Sequence, residues 1–297
     1  MAAYIQNQTR HHNDEKLTTI IVATGLGLAS GCAMTPNSYQ YKTDHSRAYN
    51  IAEAGGLITG IKDAAVPSDQ LERMTDTKTF GAAYVMSGYI APSVGGLSNW
   101  QGGVVNMANW AFGPKQHGAR NSLIAWMPVK EAASSADAQT RLISHVKLSI
   151  ESSLTELGVK FDLLYDKDGN LTYHFYSNEW DCPTWTNGKI KVSDMCSIKV
   201  RIVEPNQDKA PAFITGVQGN SYTFTSGHDT NFNFINVTNG ADSHAPEQAV
   251  YSKISEKLPA WAFLYLAPQQ VKMNNSDKIV FPYLLEQGKP ELFVSPF

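Results

Sequence analysis

The stretch Glu131–Ser177, EAASSADAQTRLISHVKLSIESSLTELGVKFDLLYDKDGNLTYHFYS, changes its hydrophobic period at a single residue. Up to Gly158, apolar side chains recur every three or four positions. Leu142, Val146, Ile150, Leu154 and Leu157 fall on one stripe, the pattern of an α-helix with one buried face. Ser134, followed three residues later by Asp137, is a capping pair at its start. Gly158 fits the residue just past its end, where a left-handed backbone is common. After Gly158 the period becomes two. VKFDLLY and LTYHFYS read as the strands of a hairpin, turned by Asp166-Lys167-Asp168-Gly169-Asn170. Asp166, Asp168 and Asn170 also have the first three ligand spacings of a calcium loop, but Ser177 stands where that loop needs Glu. The turn reading is therefore preferred. His145 has no partner at ligand spacing and reads as a surface or packed residue.

Working outward, RAYNIAEAGGLITGIKDAAV carries helical spacing interrupted by Gly55 and Gly56, and Pro67-Ser68-Asp69 offers another helix start. Residues 79–114 contain no charge and many glycines. Ser98 to Gln101 resembles a capping box opening a helix through Trp110. The region reads as buried helices, the alternative being a surface that enters a membrane or packs on another copy. On the other side, strands are expected at CSIKVRIVE, PAFITGV, SYTFTS and NFNFINV. PEQAVYSKISEKL is a helix with Pro246 near its start and Pro259 beyond its end, and strands follow at WAFLYLA, KIVFPYLL and ELFVS. The expected fold is α+β: a helical region over 47–158, then a mainly antiparallel sheet with one late helix over 159–297, the two forming one compact domain.

Composition narrows the classes of function. Hydrophobic residues make up 42% of the 297 and charged residues 17%, which fits a folded chain with a sizeable core rather than a disordered one. Net charge is −3 and no basic stripe is present, so no nucleic-acid partner is expected. GxSxG, HExxH, P-loop and GxGxxG patterns are absent. No cofactor and no metal are expected.

Thr225–Phe234, TSGHDTNFNF, resembles the GHDTN-type segment of histidine acid phosphatases. The resemblance implies Asp229 as proton donor beside His228. The family also uses an earlier Arg-His-Gly-x-Arg, whose His attacks phosphorus while the arginines hold the oxygens. The nearest match here is Gln116-His117-Gly118-Ala119-Arg120, with Gln in the place of the first Arg. A nucleophilic His without its anion clamp lacks the charge stabilisation such chemistry needs. Gly227 to Asn231 reads equally as a turn of a hairpin between SYTFTS and NFNFINV. The preferred reading is non-enzymatic; the alternative is a membrane-anchored hydrolase using His117, Arg120, His228 and Asp229.

Near the N-terminus, LTTIIVATGLGLASGC runs without a charge from Leu17 to Cys32. It is too short to cross a bilayer, which takes roughly 20 apolar residues, and suits the apolar region of a secretory signal. Ala29-Ser30-Gly31-Cys32 resembles the lipobox of bacterial lipoproteins, with Ala29 where that family usually has Leu. The resemblance implies that residues 1–31 are a signal peptide and that Cys32 takes a diacylglyceryl group and, after cleavage, a further acyl chain such as palmitate. Ala33 rather than Asp after Cys32 implies the outer membrane, on its periplasmic or its surface face. Residues 32–46 read as a polar, lipid-anchored tether, with order beginning near Arg47. The partners expected are the membrane, through this lipid, and other envelope proteins or the chain itself. With Cys32 set aside, Cys182 and Cys196 remain as an even pair, the arithmetic of one disulfide in an exported protein.

Overall fold

A computed structural model describes residues 39–57, 63–66, 118, 120–184, 191–227, 230–267, 270–273, 276–279 and 282–296. Cys32, His117, His228, Asp229, the helix starts expected at Pro67 and Ser98, and the uncharged segment 79–114 lie outside these residues. The chain divides into two units, Met1–Thr35 and Pro36–Phe297, and all described residues belong to the second.

The fold is α+β, and among the described residues its two larger sheets are antiparallel. The elements, in order, are α1 (Arg47–Ala54), β1 (Ala64–Val66), β2 (Ser122–Pro128), α2 (Ser135–Glu156), β3 (Lys160–Lys167), β4 (Asn170–Tyr176), β5 (Ser197–Arg201), β6 (Asn206–Lys209) and β7 (Asn220–Phe224). Then come β8 (Phe234–Thr238), α3 (Glu247–Lys257), β9 (Ala262–Leu266), β10 (Gln270–Met273), β11 (Ser276–Ile279), β12 (Tyr283–Glu286), β13 (Lys289–Leu292) and β14 (Val294–Pro296). One sheet has the order β13-β12-β9-β2-β7-β6 and the other β3-β4-β5-β8. β1 and β14 pair in parallel.

The expected helix and hairpin form as read. The Ser134 side chain caps the Asp137 amide at 3.1 Å, and the Asp137 carboxylate returns to the Ala133 amide at 2.9 Å. Leu142, Val146, Ile150 and Leu154 are buried against the core. At the other end Gly158 takes φ +69°, with Val159 N–H donating to the Leu154 carbonyl, the doubled bond pattern of a glycine stop. The turn tightens to two residues, since Lys167 pairs with Asn170 and both Asp168 (φ 52°) and Gly169 (φ 75°) are left-handed. That is the hairpin turn whose twist matches the strands.

Gly169 is also sterically committed. A Cβ there would sit 2.1 Å from the Ile202 carbonyl oxygen, whereas at Gly158 nothing lies within 4 Å. Gly158→Ala is therefore expected to cost about 1 kcal/mol for the left-handed backbone alone, and Gly169→Ala about 2 kcal/mol or more. Urea denaturation of the two variants separates the conformational cost from the steric one. Equal losses would show that the β3–β4 turn does not pack on Ile202.

Several strands fall elsewhere than the pattern predicts. PAFITGV is the loop of the β6–β7 hairpin, with Gly216 and Gly219 at positive φ, and the strand before it is Asn206–Lys209. All four β6 side chains are exposed, so no apolar signal marks it. The 47–158 region is not purely helical: β2 runs through it at the centre of the larger sheet, every residue buried. KIVFPYLL is divided between β11, which ends at Ile279, and β12, which begins at Tyr283 just after Pro282, a residue with no N–H to donate. SYTFTS and NFNFINV are not hairpin partners, because β7 and β8 belong to different sheets.

The expected tether is shorter than 32–46. From Tyr39 the chain is docked: its hydroxyl bonds Asn50 Oδ1 at 3.1 Å and the Glu53 carboxylate. The rings of Tyr39 and Tyr41 meet Phe213 edge-on at 5.8 and 5.1 Å. Asn50, fully buried, accepts from Lys42 N–H at 2.7 Å. Two aromatic contacts and a buried amide outweigh the polar composition that suggested a free linker.

Candidate functional site

Two glycines end α1 and determine where the segment around residue 227 runs. Gly55 leaves room for Ile124, whose side chain would lie 2.8 Å from a Cβ there. Ser226 N–H donates to the Gly55 carbonyl at 3.0 Å. Gly227 then crosses Gly56 so closely that a Cβ would lie 2.5 Å from its carbonyl oxygen. The Ser226 hydroxyl is buried between the carbonyls of Asn233 (2.8 Å) and Leu123 (3.1 Å). Asn233, also buried, donates to the Thr225 carbonyl at 2.8 Å and accepts from Val203 N–H at 2.8 Å. These bonds fix Thr225, Ser226 and Asn233 between β7 of one sheet and β8 of the other.

Arg120 belongs to the same place. Its Nη2 donates to the Ser226 carbonyl at 2.8 Å, and its guanidinium lies 3.4 Å over the Phe232 ring. Arg201 donates to the Thr230 carbonyl at 3.2 Å on the far flank. Gly118, next to His117 in sequence, accepts from the buried Tyr265 hydroxyl at 2.6 Å. The structure therefore brings Arg120 beside Ser226 and Phe232, although 106 residues separate Arg120 from Ser226, whereas Gly118 lies against Tyr265. Arg120 is engaged with a carbonyl and an aromatic face, which is how a structural clamp holds a loop. His117, His228 and Asp229, which would complete the hydrolase reading, lie outside the described residues.

Near this stretch an amide–phenol network joins the buried Asn121 and Tyr251 to Asn236 at the surface. Asn121 Nδ2 donates to the Tyr251 hydroxyl at 2.9 Å and to Asn236 Oδ1 at 3.2 Å, and its Oδ1 accepts from Ala267 N–H at 2.8 Å. The Tyr251 oxygen also accepts from Val237 N–H at 2.6 Å. Burial pushes the Tyr251 phenol well above its ordinary pKa. Glu247 starts α3 and accepts from Asn239 Nδ2 at 2.8 Å, yet burial raises its pKa in spite of that bond. The folded chain holds the Glu247 proton more tightly than the unfolded one, so stability contributed by protonation is full at low pH. It is lost as pH rises from the normal carboxyl range through the raised value. Glu247→Gln is expected to flatten that part of the stability–pH curve, as measured by thermal melts from pH 4 to 7 (a range chosen around the usual carboxyl value of about 4.3). An unchanged slope would mean that Glu247 is not buried in solution.

Cys182 and Cys196 form a disulfide with Cα atoms 5.5 Å apart. It lies between β4 and β5, where Ser177 and Cys182 exchange both backbone bonds. His174 is buried beneath this connection; desolvation lowers its pKa, against an opposing bond to the Pro183 backbone. Its imidazole is thereby held in the neutral form near neutral pH, as a packed histidine. His145 meets the Trp261 ring edge-on at 5.8 Å and borders an open hollow of about 430 Å³ with Lys130, Glu131 and Arg141. Arg141 is paired there with Asp137 at 3.0 Å. Asp166 is paired with Lys147 at 2.6 Å. Among the described residues no three His, Cys, Asp or Glu side chains gather as a metal site.

The residues that organise this part of the molecule, Asn121, Ser226 and Asn233, carry no signal in the sequence. A buried amide looks like any loop Asn until its partners are placed around it. No family model, curated protein or solved structure matches this chain.

Proposed function

We propose that this chain is a bacterial envelope lipoprotein, held in the outer membrane by acyl chains on Cys32, with a non-enzymatic structural or protein-binding role among other envelope proteins or with copies of itself. The observation that carries the reading is the uncharged run from Leu17 closing on Ala29-Ser30-Gly31-Cys32. Small residues before the cut suit a signal-peptide cleavage site, and the cysteine that follows is the residue the lipoprotein resemblance makes the acylated one. The Cys182–Cys196 disulfide supports it, since such bonds persist in oxidising compartments. Among the described residues no helix is long and apolar enough to cross a membrane, so an anchor supplied by lipid suits this domain. Three chains on one residue anchor stably, because each buried CH₂ adds about 0.8 kcal/mol and one chain alone is marginal.

The test is Cys32→Ala in a bacterial host, with membrane fractionation and intact mass. The wild-type chain is expected at the mass of residues 32–297 plus lipid, and the variant as uncleaved precursor. A variant trimmed to the same N-terminus would refute the reading.

The hydrolase alternative has one observation in its favour, the contact of Arg120 with the Ser226–Phe232 stretch. It requires turnover of a generic phosphomonoester that disappears in both His117→Ala and His228→Ala.

A further inference from the structure

The docking of residues 39–46 has a geometric consequence that rests on the lipoprotein reading. Seven residues lead from Cys32 to Tyr39. Fully extended, they reach about 23 Å, at ~3.3 Å per residue. Tyr39 is pinned to α1 by Asn50 and Glu53 and to the β6–β7 loop by Phe213. A lipid on Cys32 therefore brings one face of the domain, and not an arbitrary one, to the bilayer. That face carries Tyr41, 43% exposed, against a half-buried Phe213, with Ala212 and Thr215 exposed beside it. Lys42 is there too, paired with Glu53 at 2.6 Å, along with an exposed Asp44. Amphipathic rings beside a long cationic stem, with little net charge, match the chemistry of the headgroup layer, where Tyr places its ring among acyl ends and its hydroxyl in water.

We infer that the surface formed by Tyr39, Tyr41, Lys42 and Phe213 is the membrane-facing side of the domain, resting on phospholipid headgroups while Cys32 holds the lipid. The opposite arrangement, a domain swinging freely on a long linker, needs residues 39–46 undocked.

The experiment uses mature, lipidated protein in vesicles of phosphatidylethanolamine and phosphatidylglycerol that carry a headgroup-attached quencher. A fluorophore is placed on Tyr41→Cys, on Ala212→Cys as a second reporter, and on Lys199→Cys, an exposed site on the four-stranded sheet. Intact mass first establishes that Cys32 carries lipid; if it does not, the lipoprotein reading fails and this inference falls with it. With lipid present, quenching at Tyr41 and Ala212 is expected to exceed that at Lys199 several-fold. Equal quenching at the three sites, or stronger quenching at Lys199, overturns the orientation while leaving the anchor intact. A Tyr41 label that is shielded by a second copy of the chain gives no quenching and also overturns it.

Discussion

Trp126→Ala is expected to remove about 3–5 kcal/mol of stability, the usual cost of emptying a large aromatic site in a core. Trp126 lies on β2, the strand with β9 on one side and β7 on the other. It is 1% exposed, its backbone N–H donates to the Trp261 carbonyl at 3.0 Å, a bond the variant keeps, and its ring meets Phe263 edge-on at 5.9 Å. Phe263 pairs with Ile124, so the two rings are diagonal neighbours on one face of the sheet. The cavity left by alanine cannot close readily, because both flanking strands are held by ladder hydrogen bonds. Leu148→Ala makes the control: it is 66% exposed on α2 and is expected to change stability by less than about 0.5 kcal/mol. Urea denaturation of the pair reads the difference directly. A loss below about 1 kcal/mol at Trp126 would mean that β2 is not the central strand.

That strand shows where the sequence is legible and where it is not. α2 could be read because it has one wet face and one dry face, and the β3–β4 hairpin because apolar runs flank the turn residues Asp168-Gly169, although all of β3 but Phe161 is exposed. β2 and β9 are buried on both faces and β6 is exposed on both. Neither condition leaves a period: SLIAWMP and NQDK give no strand signal, and WAFLYLA is legible as β9 only through its unbroken apolar and aromatic run. Turn chemistry misled in one place: Gly227 to Asn231 has the residues of a hairpin turn, yet β7 and β8 belong to different sheets, and the flanking Ser226 and Asn233 are bonded to Gly55 and Leu123, far off in sequence. Tyr39 and Tyr41 were legible as polar chain and not as an anchor, since Phe213 lies more than 170 residues away. The disulfide was legible by parity once Cys32 was set aside. The contact of Arg120 with Ser226 and Phe232 was not, since nothing local distinguishes an arginine that clamps a loop from one that holds a phosphate.

The Cys182–Cys196 bond is the second place where a large effect is expected. The double replacement Cys182→Ala, Cys196→Ala should lower stability by about 3 kcal/mol, the chain-entropy value for a closed loop of about fifteen residues. For a domain of this size that corresponds to roughly 10 °C in melting temperature. The fold itself should survive. The neighbouring structure has other supports: Trp180 packs edge-on against Phe175 at 6.3 Å, its carbonyl accepts from His244 N–H at 3.0 Å, and Phe175 N–H donates to the Cys196 carbonyl at 3.1 Å. Those contacts keep the end of β4 beside the start of β5 without the sulfur bridge, so the loss reports on the unfolded chain more than on the folded one. Reductant added to the wild-type protein should reproduce the melting shift of the double variant, and should have no effect on the variant. Protein exported to an oxidising compartment should show no alkylatable thiol at either position. Two free thiols there, or a melt indifferent to reductant, would remove the disulfide from the account and with it one of the supports for export.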